Sequence, residues 1–288
     1  MAVYERAYRG YAGGYTAEAW RFLALARHGL QRVFAPRLFA AFYTACFLPA
    51  LFLGAWIYVS NSAKVLNFLG LSAGGIAAVG SGAFMAFLGF EGKFLGFLMA
   101  LIVGPALIVP DLVNNALPLY LSRPFNRTEY IAGRLAVLVG LLSSITWVPY
   151  LLLYALQAYL AGWEWTRDNL NIPGAIFVGS WIWILCISTI SLAAAVTLKS
   201  KIWSRVFMFV VLFALAAFGA VLAEGLGLRF GHNLNVFQMN LVVWSEMFDV
   251  PIGDQTRPLW SAWATLIAAC AISVAILYRK VRAYEVVR

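Results

Sequence analysis

The residues of this chain best suited to touch another molecule lie between Asp111 and Arg134, in DLVNNALPLYLSRPFNRTEYIAGR. Arg123, Arg127 and Arg134 make the stretch basic, and it interrupts two long apolar runs. Pro118 and Pro124 break any continuous helix through it, because each lacks an N–H and crowds the preceding turn. Asn126 followed by Glu129 has the spacing of a capping box, which predicts a new helix starting at Arg127. A short kinked segment of this kind suits contact with a soluble partner. It also suits a solvated basic loop that only sets orientation in a membrane.

Chemistry elsewhere is sparse. No HExxH occurs, which argues against a membrane-embedded zinc hydrolase of that kind. The nearest approach to a phosphate loop, GFEGK at 89–93, lacks a Gly at 87 and a Ser or Thr at 94, so it is no Walker A loop. His28 and His232 have no ligand-spaced companion, and no metal site is expected. Cys46, Cys186 and Cys270 all fall in apolar windows without CxxC spacing, and no disulfide is expected. Asp111 and Glu224 read as helix-end acids reaching water, with a coupling carboxylate as the alternative. The remaining apolar runs read as nearly free of ionisable groups, which an ion-driven transporter or proton pump would need.

The elements that position these residues follow from composition. The chain has 288 residues, 63% apolar and 11% charged, whereas a soluble domain carries about 25% charge. Uncharged windows run 38–63, 65–90, 94–110, 135–163, 169–198, 206–223 and 258–278. A bilayer-spanning helix needs roughly 20 mostly apolar residues. The expected fold class is therefore an all-α polytopic integral membrane protein. Residues 1–37 form a cytoplasmic tail and an interfacial helix, 38–279 the transmembrane domain, and 280–288 a second cytoplasmic tail. No secretory signal is evident at the N-terminus.

Within 16–35, Phe22, Leu23, Ala26, Leu30, Val33 and Phe34 share one helical face, and Arg21, His28, Gln31 and Arg32 the other. A basic amphipathic helix before a span fits one lying in the interface plane. Arg21, Arg27 and Arg32 are its candidate partner contacts. The window 65–90, with six glycines and no charge, decides the topology. If it does not span, six spans run about 38–60, 94–120, 130–158, 174–198, 203–224 and 259–279, with both termini cytoplasmic. Inner segments then carry sixteen Lys and Arg, and outer ones only Lys64, Lys93, Arg167, Arg229 and Arg257. If it spans, the basic segments 123–134, 199–205 and the C-terminus move outside. The positive-inside rule favours six spans, and it accounts for the net charge of +9 without nucleic acid. The window then folds back at the outer side, sheltered by the helices.

LYLSRPFNRTEYIAGRL, Leu119 to Leu135, resembles the SRP-x-x-R-x-x-Y/F-x-x-G-K/R segment of permease subunits of type-two ABC exporters. The matching residues are Ser122, Arg123, Pro124, Arg127, Tyr130, Gly133 and Arg134, with Glu129 inside the segment. In that family the segment links the second and third of six spans and sits in a groove of a cytoplasmic ATPase. The resemblance extends over most of the chain, and the long Gly-rich stretch 65–90 is the departure from it. It implies a non-enzymatic permease subunit with no cofactor of its own, ATP and magnesium being held by the separate ATPase partner. It further implies a second permease subunit, identical or homologous, in a bacterial inner membrane. The alternatives are a secondary transporter or channel, and a membrane anchor subunit that transports nothing.

Overall fold

The structure, a computed structural model, describes residues 20–62, 65, 68, 79–117, 126–251 and 258–281. These fold almost wholly into helices, without a strand among them. Six helical stretches are long and apolar enough to cross a membrane: Arg37–Asn61, Ser81–Val113, Arg127–Ala161, Asn171–Leu198, Lys201–Gly225 and Leu259–Lys280.

Helix α1 (Arg21–Phe34) precedes the first span. Its apolar residues divide between two surfaces. Leu25, Ala26 and Val33 are buried, whereas Leu23, Leu30 and Phe34 stay exposed beside Trp20. The single apolar face read from periodicity is thus half covered by protein and half left open. Pro36 turns the chain, and Phe34 packs edge-on against Phe39 and Tyr43 of the first span. That span is two helices, α2 (Arg37–Ala45) and α3 (Leu48–Asn61), broken where Pro49 withdraws an N–H.

The second span begins at Ser81, well before the boundary near 94 that the charge pattern predicts. It comprises α4 (Ser81–Phe90), a π-helical turn Glu91–Gly96, and α5 (Phe97–Val113). Glu91 and Lys93 split the uncharged windows here, but both lie within the helix. Glu91 has no exposed surface there, and Lys93 is partly covered. Residues 81–90 of the Gly-rich window are accordingly the start of a span. Residues 63, 64, 66, 67 and 69–78 lie outside those described.

The third span joins α6 (Arg127–Ile145) to α7 (Trp147–Ala161) across Thr146, whose hydroxyl returns to the Leu142 carbonyl at 2.6 Å. Short α8 (Trp163–Asp168) leads to α9 (Asn171–Leu198), the central helix, packed by α5, α6, α10 (Lys201–Ala220) and α12 (Leu259–Lys280). The first, fifth and sixth spans are only 17–22% buried and turn Leu, Val and Phe outward. Such a surface requires lipid or another apolar protein around it. After the fifth span, α11 (Val236–Met247) folds back against α9 and α12. Gly179 permits this approach: a Cβ there would sit 2.8 Å from the Trp244 indole nitrogen. Cross-span hydrogen bonds join Tyr43 to Ser144 (2.7 Å) and Asn61 to Gln157 (2.9 Å), tying the first span to the third.

Candidate functional site

The sequence 114–126 links the second span to the third, and the structure ties together the helix ends on either side of it. Asp111, in the last turn of α5, is 4% exposed. Its Oδ2 accepts hydrogen bonds from Tyr130 Oη at 2.8 Å and from Arg134 Nη2 at 2.5 Å. Its Oδ1 faces Arg32 Nη1 of α1 at 3.4 Å. Tyr130 and Arg134 stand four residues apart on the first turns of α6, hence on one face. The Arg134 guanidinium also lies 5.4 Å from the centre of the Tyr130 ring. Both side chains are fully buried. Three elements therefore share one carboxylate. Removing one member of such a buried pair costs about 3–5 kcal/mol, because a charge is stranded in low dielectric.

The cap predicted at the head of α6 is present. The Asn126 N–H donates to Glu129 Oε2 at 2.9 Å, and the Asn126 side chain accepts from the third turn residue. This satisfies N–H groups that a helix start otherwise leaves open and sets where α6 begins. Gly133 has a separate role. A Cβ there would meet the Phe22 carbonyl and the Leu25 side chain at 3.0 Å. Only glycine lets α1 lie this closely along α6.

The candidate residues thus divide. Arg127 is exposed and Glu129 caps the helix. Tyr130, Gly133 and Arg134 are buried and bind the base of the segment to its neighbours. Ser122, Arg123 and Pro124 lie outside the described residues. On α1, Arg27 is exposed, Arg21 is partly covered, and Arg32 reaches Asp111. Asp111, read from the sequence as an acid reaching water, is instead the buried centre of the network. The reason is tertiary: its partners come from positions 19, 23 and 79 residues away. The i, i+4 spacing of Tyr130 and Arg134 behind a cap was the available signal.

Sequence reasoning missed a second buried polar group. Glu91 is fully buried in the π turn of the second span, and neither carboxylate oxygen has a hydrogen-bond partner among the described residues. Beside it, Trp183 Nε1 donates to the Gly92 carbonyl at 2.7 Å, and Lys93 Nζ stands 5.7 Å from the Trp244 ring centre. Lys93, counted from sequence with the outer segments, belongs to this span. No three His, Cys, Asp or Glu side chains converge as a metal site among the described residues. No family model matches the chain, and comparison with curated proteins finds no match.

Proposed function

We propose that this chain is the membrane-embedded permease subunit of an ATP-driven exporter resembling the type-two ABC class. In this reading both termini and the segment 118–134 face the cytoplasm, and α1 lies in the plane of the inner membrane surface. A separate ATPase docks on the segment and supplies the energy. A second permease subunit, identical or homologous, completes the translocation path in a bacterial inner membrane.

The observation that carries the reading is the Asp111 network. It joins the exit of the second span, the entry of the third and α1 into one unit, while Arg127 stays exposed just beyond. A push delivered at exposed Arg127 would therefore move two spans and α1 together. A loop serving only as an orientation signal has no use for such a base. The exposed apolar stripe Leu23, Leu30 and Phe34 suits a helix with one face toward lipid and another on the bundle.

The test is charge reversal at Arg123 and Arg127, followed by capture of the ATPase and by transport. A like-charge contact in a partly desolvated interface costs more than the loss of an exposed ion pair, worth about 0–1 kcal/mol. Arg123→Glu/Arg127→Glu should insert normally, lose the ATPase and stop transport. Normal transport by the inserted double variant would reduce the segment to an orientation signal.

Glu91 favours a second reading, an ion-driven transporter, since an acid inside a span is costly and kept for function. Transport that follows an ion gradient and ignores nucleotide would select it.

A further inference from the structure

Helix α1 keeps one exposed stripe that the Asp111 network does not use. Trp20, Leu23, Arg27, Leu30 and Phe34 are all exposed, and they follow one another at spacings of three, four, three and four residues. That alternation holds them on one face of a helix. Arg27 is the one charge among four large apolar side chains. Past the turn at Pro36, Arg37 and Leu38 open the first span and are exposed too. The opposite side of α1 is held by the bundle. A Cβ at Gly29 would stand 3.0 Å from Val137 and 3.2 Å from Leu107, and Arg32 turns to Asp111. The stripe is what α1 leaves for another molecule.

Its charge has one sign. No Asp or Glu occurs between Glu18 and Glu91 in the sequence. Of the acids on the elements packed against α1, Asp111 is taken by Arg32, Tyr130 and Arg134, and Glu129 caps α6. Arg27 and Arg37 make no ion pair among the described residues. An apolar stripe broken by a single guanidinium suits the boundary between acyl chains and phosphates. There the apolar side chains enter the acyl layer, and the arginine stem lies along it while its head reaches a phosphate. Trp20 suits the same depth. A soluble acidic partner would instead call for Arg27 on the polar side of the helix, with His28 and Gln31.

We propose that α1 is a docking surface for anionic phospholipid. Arg27 and Arg37 bind lipid phosphates, and Trp20, Leu23, Leu30 and Phe34 enter the acyl boundary. A zwitterionic lipid offers the same phosphate but adds a cation, which a surface carrying arginines and no acid disfavours. The same helix sends Arg32 to Asp111, so the lipid contact and the Asp111 network are held by one element. The inference rests on the reading that α1 lies in the plane of the membrane surface, and it names the lipid that α1 selects.

The test places the full-length chain in nanodiscs of phosphatidylcholine and phosphatidylglycerol in equal amounts. In parallel samples one lipid or the other carries a diazirine on its acyl chain, and adducts are mapped by peptide mass spectrometry. On α1 the phosphatidylglycerol adducts should exceed the phosphatidylcholine adducts several-fold, each arginine at the surface contributing up to about fivefold. The peptide holding Ile267 and Ile272, exposed on the sixth span, should show no preference. Arg27→Gln/Arg37→Gln should bring the ratio on α1 to about one, and Arg27→Lys/Arg37→Lys should keep it. A ratio near one in the wild-type protein, or an unchanged ratio in the glutamine variant, would overturn the proposal and leave α1 in the membrane plane. Absence of both adducts from α1 would overturn the placement of α1 as well. Neither ATP nor a partner takes part, so the coupling reading is tested separately.

Discussion

Asp111 and Arg134 make an asymmetric pair, and the asymmetry is measurable. Asp111 receives Tyr130, Arg134 and Arg32, so Arg134→Met leaves the carboxylate with two of its donors. The loss should be that of one charge-assisted hydrogen bond, about 1.5–3 kcal/mol. Asp111→Leu removes the carboxylate from a guanidinium with no exposed surface and should cost about 3–5 kcal/mol. Asp111→Leu/Arg134→Met replaces both charges by apolar groups of similar length. It should be more stable than Asp111→Leu alone, giving a coupling energy of at least about 1.5 kcal/mol. Equilibrium unfolding in mixed dodecyl sulfate micelles, followed by tryptophan fluorescence, supplies the four corners of the cycle. Additive effects, or a cost below about 1 kcal/mol for Asp111→Leu, would mean a water-exposed pair. The claim of a buried network joining α1, α5 and α6 would then be refuted.

Gly133→Val should destabilise the chain by about 1–3 kcal/mol through overpacking against Phe22 and Leu25. Gly140→Val, where a side chain meets nothing within 4 Å, should change stability little in the same unfolding assay. Cys186 and Cys270 lie on the fourth and sixth spans, whose helices α9 and α12 pack against each other. Copper phenanthroline should therefore link them within one chain in membranes, and a protein left with free thiols would contradict the packing of α9 on α12. In intact cells, Thr128→Cys should react only with permeant thiol reagents and Glu164→Cys also with impermeant ones. Labelling of position 128 from outside would reverse the proposed orientation.

Much of the fold was legible because its causes are local. Six apolar stretches and the cap of Asn126 and Glu129 each follow from a few neighbouring residues. The start of the second span was not legible, because Glu91 and Lys93 break the apolar count there. The turn that holds them is covered by Trp183 and Trp244, which arrive from distant helices. The role of Gly133 became clear only with α1 in place. Spacing put Tyr130 and Arg134 on one face but not what that face met. Nothing near Asp111 in the sequence distinguishes a buried acid from one at a helix end. Arg32, Tyr130 and Arg134 do so, and only the packing of α1, α5 and α6 brings them there.

The central claim is that energy enters at the capped head of the third span from a nucleotide-binding partner. A photocrosslinking amino acid at exposed Thr128, beside Arg127, tests it in native membranes. Irradiation should yield one dominant adduct whose peptides contain a Walker A loop, and ATP with vanadate should change its yield. An adduct pattern of lipid alone, or of proteins without an ATP site, in cells that carry out nucleotide-independent transport would contradict the account.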